Sequence, residues 1–324
     1  MENLAPIVLF VYNRPRHTEK VIEALKKNKE ATYSDLFVFS DAPKNEEVEE
    51  NVEQVRNYIK TISGFKTITI KKHTENQGLA KSIIDGVTEV VNKYGKIIVL
   101  EDDIETSPYF LKFMNNALDF FLEEKQVWSI TGFSYPIKSR KLPLAFCFFA
   151  MSCWSWGTWV DRWKYYEKNP DKYILQISPK HVNRFDYYGS TEMFSQITAN
   201  KEGKFNTWAI FWYAVQYINS GFQIMPSKPL AKNIGMDGTG IHCGTTTVYD
   251  YKLHNDEVKI DFNKIPIKEN KLATKLICSF FREQKKQGII RRTKKCVKQM
   301  IRSVFGGKFV SMMKAIIMKE KNNQ

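Results

Sequence analysis

Residues 96–105 read Lys96-Ile97-Ile98-Val99-Leu100-Glu101-Asp102-Asp103-Ile104-Glu105, a short β-branched apolar run that stops in three consecutive carboxylates, with a fourth two positions on. Strands of a parallel α/β sheet are buried on both faces and read as continuous apolar runs, and ligands collect beyond their carboxyl ends. The acids therefore fall where a ligand is expected. Side chains alternate along an extended segment, so Glu101 and Asp103 should point one way and Asp102 the other. Adjacent carboxylates repel one another, and holding them ionised beside apolar strands requires a cation. Hard oxygen ligands of this kind suit Mg²⁺ or Mn²⁺ bridging a diphosphate. The bland alternative is a solvated strand-to-helix turn, with Ser107-Pro108 opening the next helix and the acids favouring its N-terminal dipole.

The stretches before this one repeat the same grammar. Ala5 to Tyr12 is a buried first strand, and Asn13-Arg14-Pro15 breaks it before a helix from about His17 to Lys27. Leu36 to Ser40 is a second strand, ended by Asp41-Ala42-Pro43 and followed by an acidic helix from Glu46 to Lys60. Phe65 to Ile70 alternates as a third, more exposed strand, and the turn after it offers Asn76, Gly78 and Lys81: an amide, a close backbone approach and a cation near a helix start. The acidic strand is the fourth, with a helix from Pro108 to Glu124 behind it. Arg14 could pair with a phosphate or cap its turn, and Asp41 could accept from a base or ribose or cap the next helix. Neither G-x-G-x-x-G nor G-x-x-x-x-G-K-[ST] occurs, so no dinucleotide fingerprint and no P-loop accounts for this α/β pattern.

At 324 residues, 43% apolar and 14% aromatic, the composition is that of a folded protein with one large or two small domains. The sequence starts Met-Glu-Asn without a basic n-region, and its longest apolar run, Leu142 to Met151, is half of a membrane span, so a cytoplasmic protein is expected. Cys147, Cys153, Cys243, Cys278 and Cys296 are odd in number with no Cys-x-x-Cys pair, which argues against disulfides and structural zinc. The net charge of +14 is concentrated late: Arg282 to Gln324 holds thirteen Lys/Arg against two Glu, leaving 36 against 33, or +3, before it.

Pro6 to Tyr12, Asp41 and residues 97–110, IIVLEDDIETSPYF, resemble the GT-A nucleotide-sugar-dependent glycosyltransferases, most closely the N-acetylglucosaminyltransferase I group. In that group a Glu-Asp-Asp triplet ends a buried strand and is followed by an acid, a Pro and a Phe. The likeness covers roughly the first 135 residues. It implies an α/β, Rossmann-like GT-A fold with a mainly parallel sheet flanked by helices. Residues 1–135 would then bind the nucleotide sugar, 136–262 the acceptor, and 263–324 would be a basic tail. It further implies that Asp103 binds Mn²⁺ or Mg²⁺, that Glu101 and Asp102 contact the sugar nucleotide, that Asp41 reads the base, and that Arg14 lies near the diphosphate.

Phe146 to Trp163 packs four Trp into ten residues around Gly157. Aromatic faces stack on sugar rings, although most of these rings should be core. The segment resembles the Gly-Trp segment of the family's acceptor half, and Trp208 opens the helix that in the family starts with Trp followed by acids, which implies that Trp156 and Trp208 contact substrate. One of those acids deprotonates the acceptor; here Ala209 follows Trp208 instead. Asp161, beside the Trp cluster, and Asp237, in the Gly-rich stretch 233–244, are the replacement candidates for the base. That stretch should close over the diphosphate as a loop. His242 resembles the late histidine that completes the metal shell in many GT-A enzymes, or is a polar loop histidine.

From Ile289 the tail places apolar residues at helical spacing on one face, with Lys and Arg off it, a basic amphipathic helix suited to anionic lipid. The nearly neutral body continues no basic path, so nucleic acid is not an expected partner. The expected partners are a nucleotide-sugar donor, an anionic membrane surface and a glycan acceptor, one linked to polyprenyl diphosphate in a bacterial surface-polysaccharide pathway. The protein would then be peripheral at the inner face of the cell membrane. A non-catalytic module that binds nucleotide sugar or polyanion is the alternative, favoured by Ala209.

Overall fold

The computed structural model describes residues 3–239 and 246–287. Strands and helices alternate through the first half: β1 (Ile7–Val11), α1 (Pro15–Lys26), β2 (Asp35–Ser40), α2 (Glu49–Ile59), β3 (Thr67–Lys72), α3 (Leu79–Tyr94), β4 (Lys96–Glu101), a short β5 (Ile104–Thr106) and α4 (Phe110–Phe120). The second half holds β6 (Val127–Thr131), β7 (Ala145–Phe148), β8 (Trp156–Trp159), the one-turn α5 (Val160–Trp163), α6 (Pro170–Gln176), α7 (Pro179–Phe185), α8 (Met193–Lys201), α9 (Ala209–Ile218), β9 (Phe222–Pro226) and β10 (Ala231–Asn233). Residues 271–287 are helical, α10, the last helix among the described residues.

Eight strands make one sheet in the order β3-β2-β1-β4-β8-β6-β9-β7, and β5 pairs with β10 beside it. The expected parallel sheet is found for β3, β2, β1 and β4 and again between β6 and β9. Elsewhere it is mixed, because β8 enters from the carboxyl edge and runs antiparallel between β4 and β6, and β7 is antiparallel to β9. The boundary expected near residue 135 therefore does not divide the sheet, since β8, which follows it, is wedged between β4 and β6, which both precede it. Chain order along the sheet reverses between β1 and β4: β1 to β3 progress one way and β4 falls on the other side of β1. In open α/β sheets that switch point is where ligands bind.

The burial pattern explains the strands. Every residue of β1 and all but the last of β4 are buried, with Val8, Val99 and Ile97 in the layer under α3 and Leu9, Leu100 and Ile98 in the layer under α1 and α4. Boundaries moved where local chemistry was stronger than periodicity. α1 starts at Pro15, whose fixed φ and missing N–H suit the first helical position. β3 lies two residues beyond the expected run, in the register where the Thr67 hydroxyl donates to Asp35.

The tail expected from residue 263 joins the body at its start. In α10, Ala273, Ile277 and Cys278 are buried, the Cys278 thiol donates to the Tyr187 carbonyl at 3.1 Å, and Lys285 pairs with Glu192. Residues 271–287 thus dock on the body, within the segment expected as the tail. The basic amphipathic segment expected from Ile289 lies outside the described residues. No described helix is long and apolar enough to cross a membrane.

Candidate active site

The two strands flanking the switch point deliver opposite charges to it. Arg14 stands in the turn between β1 and α1, and Asp102 and Asp103 follow β4. One guanidinium nitrogen, Nη2, bonds Asp102 Oδ1 and also Asp103 Oδ2 at 3.0 Å. The Tyr12 amide donates to the other Asp102 oxygen at 3.3 Å. Both carboxylates are buried, Asp102 at 4% and Asp103 at 6% exposure. The expected alternation of the acids fails here for a definite reason: the chain leaves the extended conformation at Asp102 and turns, so both aspartates face Arg14.

Charges in this cluster perturb one another strongly. Burial works against the Arg14 cation, but Asp102 and Asp103 outweigh it and hold the guanidinium protonated above its ordinary range. Burial pushes Asp102 up, opposed by Arg14. Glu101, at the end of β4, is pushed up to about 8 by burial and then by repulsion from Asp103 and Asp102, with Arg14 pulling the other way. No side-chain or backbone donor among the described residues bonds the Glu101 carboxyl.

A strap crosses this cluster. β10 runs antiparallel to β5, and the chain after it continues over the ion pairs, the Ile234 amide donating to the Asp103 carbonyl at 2.8 Å. Gly235 passes so close that a Cβ there would stand 2.3 Å from Asp103 Oδ2 and 2.7 Å from Arg14 Nη1. Its φ is ordinary; glycine is needed for space. Asp237 then reaches back to α1, its Oδ2 3.2 Å from His17 Nε2. Hydrogen bonds from the Thr239 hydroxyl and amide hold the Asp237 carboxyl below its usual range. Of the two acids considered for the base, Asp237 is therefore at this edge.

Asp161 is not. Gly95, just before β4, accepts from the Val160 amide, which sets Asp161 beside the amino end of β4, a six-residue strand or roughly 20 Å from its carboxyl end. There it pairs with Arg162 at 2.7 Å and Lys125 at 3.1 Å. The residue expected as a candidate base thus stands in an ion pair at the opposite edge from Arg14, because β8 carries the chain across the sheet.

Asp41 ends β2 but is occupied. It accepts from the amides of Ala42, Gln77 and Gly78, each at 2.9 Å, and from the Asn76 side chain at 3.2 Å. Four donors use up the lone pairs of a carboxylate. Asp41 and Asn76 thus knit the 73–78 turn to the sheet, and these bonds occupy the carboxylate expected to contact a base. Gly78, at φ 73°, caps α3 in a conformation most side chains avoid. Lys81 points to the exposed outer face of α3 and pairs with Asp85.

Trp156 and Trp208 do not face a ligand either. They are 0% and 3% exposed and pack with Trp163 and Trp212 under α9. β8 is an interior strand, so its side chains enter the covered layers, and both rings expected against a substrate are packed in the core. His242 lies outside the described residues.

Sequence reasoning missed His17, Asn233 and Gly235. His17 had a signal, its place in the first turn of a helix that opens just after Arg14. Gly235 and Asn233, whose side chain holds the Gly235 amide at 2.7 Å, lie in the Gly-rich stretch expected to close over the diphosphate, but their individual contacts with the cluster are legible only from the strap's path.

The metal expected from the acids can be tested against these donors. Among the described residues no three His, Cys, Asp or Glu side chains stand together as a cage. The Asp102–Asp103 pair suits the other kind of divalent site, in which one or two carboxylates hold an ion that also takes oxygens from substrate phosphates. Charge supports that fit. Arg14 offsets one of two carboxylate charges, so a diphosphate would meet a net negative site, and each like pair at 4 Å costs about 4 kcal/mol at a surface-like dielectric.

No family model matches the chain, and no curated protein matches it. Among solved structures, S. aureus TarS is similar at 16% identity over 43% of this chain and 23% of that one, with a TM-score of 0.29. TarS 1–349 in complex with UDP is similar at 14% identity over 43% and 38%, TM-score 0.27. The mannosyltransferase PcManGT from Pyrobaculum calidifontis, in complex with GDP-Man and Mn²⁺, is similar at 9% identity over 67% and 72%, TM-score 0.36. The match thus spans about a quarter of the TarS chain. At these scores the likenesses bear on neither substrate nor chemistry.

Proposed function

We propose that the protein is a nucleotide-sugar-dependent glycosyltransferase. The observation that carries this reading is the cluster at the switch point, where Arg14 from β1 meets Asp102 and Asp103 from β4 under a glycine strap. Its sequence, Glu-Asp-Asp at the end of a buried strand, is the one that resembles the GT-A family. Phosphate is the ligand chemistry that fits: a fixed guanidinium with free donors, the N-terminus of α1 opening at Pro15, and carboxylates able to share a divalent ion.

In this reading a hydroxyl oxygen of the acceptor attacks the anomeric carbon of the donor sugar. The bond from that carbon to the diphosphate oxygen breaks, and its electron pair leaves with the nucleoside diphosphate. Mn²⁺ or Mg²⁺ held at Asp103 and Asp102 would offset the charge gathering on that diphosphate. Arg14 adds a second positive charge on the same side, and Asp41 keeps the 73–78 turn in place at the edge of the nucleotide cleft. Asp237 takes the proton of the attacking hydroxyl, with His17 as its partner. Inversion at the anomeric carbon follows from the resemblance alone. The acceptor is a glycan, and the cations after residue 287 suit an anionic membrane surface that would bring a lipid-linked acceptor to a peripheral cytoplasmic enzyme.

Ala209, standing where the family carries an acid, favours one other reading, a module that binds nucleotide sugar without turning it over. Incubation with labelled UDP- and GDP-sugars and Mn²⁺ separates the two: an enzyme transfers the label to an acceptor glycan or hydrolyses the donor, a binding module does neither. Asp103→Ala should abolish metal-dependent binding of the nucleoside diphosphate and leave the far-UV circular dichroism unchanged. Full binding in that variant would remove the site from this role.

A further inference from the structure

Arg14 uses its donors in an unusual way. A structural Arg–carboxylate pair commonly gains from two parallel bonds on two nitrogens. Here Nη2 alone serves both Asp102 and Asp103, while Nη1 and Nε have no acceptor among the described residues. Nη1 lies against the strap, 2.7 Å from where a Cβ on Gly235 would be. The guanidinium therefore stands between the two aspartates with most of its donors unspent.

We infer that Arg14 is a stand-in cation, which holds Asp102 and Asp103 while no divalent ion is bound and exchanges the carboxylates for phosphate oxygens when metal and nucleoside diphosphate arrive. The inference rests on the reading of the site given above and adds an order to it. Two buried carboxylates with no cation would repel each other, so the free protein needs the guanidinium there. A divalent ion must displace that guanidinium, whose carboxylate bonds among the described residues are all to Asp102 and Asp103. A diphosphate supplies the missing acceptor, to which Arg14 can turn Nη1 and Nε. Metal and nucleotide consequently assist each other, each binding weakly alone because each alone leaves one charge unmatched.

The test is Mn²⁺ binding, read from the loss of the free-ion paramagnetic resonance signal on the full-length protein, with and without UDP or GDP. Wild type should bind Mn²⁺ at least tenfold more tightly with whichever nucleotide it accepts. Arg14→Met should bind Mn²⁺ without nucleotide at least tenfold more tightly than wild type, and should bind the nucleotide more weakly at saturating Mn²⁺. Arg14→Lys, which keeps a charge but not the fork, should fall between. If Arg14→Met folds poorly in EDTA, Mn²⁺ should raise its melting temperature more than it raises that of wild type. Equal Mn²⁺ affinity in wild type and Arg14→Met, or Mn²⁺ binding by neither, overturns the inference. Tighter Mn²⁺ binding by Arg14→Met with no uptake of either nucleotide by any form would support Arg14 as the cation that stands in for the metal, overturn its transfer to phosphate, and count against the proposed function.

Discussion

Trp156 on β8 and Trp208 at the start of α9 stack with ring centroids 5.3 Å apart and planes 28° from parallel, and both are closed off from solvent. Rings so placed contribute burial and packing, not recognition. Trp208→Ala should therefore cost about 3–5 kcal/mol, the usual loss for a large aromatic core residue. Urea unfolding should show it as a lower midpoint with the same slope. Donor affinity measured on the folded variant should stay within a factor of two or three; a tenfold loss of affinity at unchanged stability would mean that Trp208 faces the ligand after all.

The residues that define the candidate site were readable where chemistry follows chain position. Strand ends bearing Arg14, Asp41 and Asp103 are marked by an apolar run that stops, and a run that stops names its carboxyl edge without reference to anything distant. Placement of Asp161, Trp156 and Asp237 depended instead on which way β8 runs and on where the strap crosses. Ser155 to Trp159 offers nothing in its own sequence to tell a strand entering from the carboxyl edge from one leaving by it. The partner strands decide, with Gly157 opposite Ile98 and Ile130. Asp41 shows a third limit: its position was readable, but its four donors come from residues 42 to 78, and only the folded turn reveals that they exhaust it.

Asp161 provides a check at the opposite edge. Partial burial raises its carboxyl, and the bonds from Arg162 and Lys125 outweigh that and lower it below the ordinary 3.8. A depressed folded value means that the interaction stabilises fully above pH 3.8 and is lost as pH falls through the folded value. Asp161→Asn should then lower stability by about 1 kcal/mol at neutral pH, since one partner is half exposed. The gap between variant and wild type should close on acidification below pH 3.8, and turnover should not change. A turnover loss of a hundredfold would return Asp161 to the chemistry.

Gly235→Ala places a methyl group inside the contact distance of Asp103 and Arg14, so the strap or the ion pair must move. Overpacking of this size costs about 1–3 kcal/mol. Most of it should appear in ligand binding, because the strap lies directly over Arg14 and Asp103. Nucleoside diphosphate affinity should fall at least tenfold, with a melting temperature within a few degrees of wild type. An unchanged affinity would show that the strap is not part of the binding surface.

The His17–Asp237 pair separates two roles that one variant cannot. As a base, Asp237 contributes through its carboxylate; as a latch, it contributes by tying the strap to α1, and then His17 matters equally. Asp237→Asn removes the carboxylate while retaining an oxygen, and His17→Gln removes the partner while leaving the carboxylate free. If Asp237 takes the acceptor proton, Asp237→Asn should cut turnover by about two orders of magnitude at nearly unchanged donor affinity. His17→Gln should cost less than tenfold, since Thr239 still bonds the carboxylate. Equal losses of turnover in the two variants, accompanied by equal losses of donor affinity, would identify the pair as a latch and send the search for the base elsewhere.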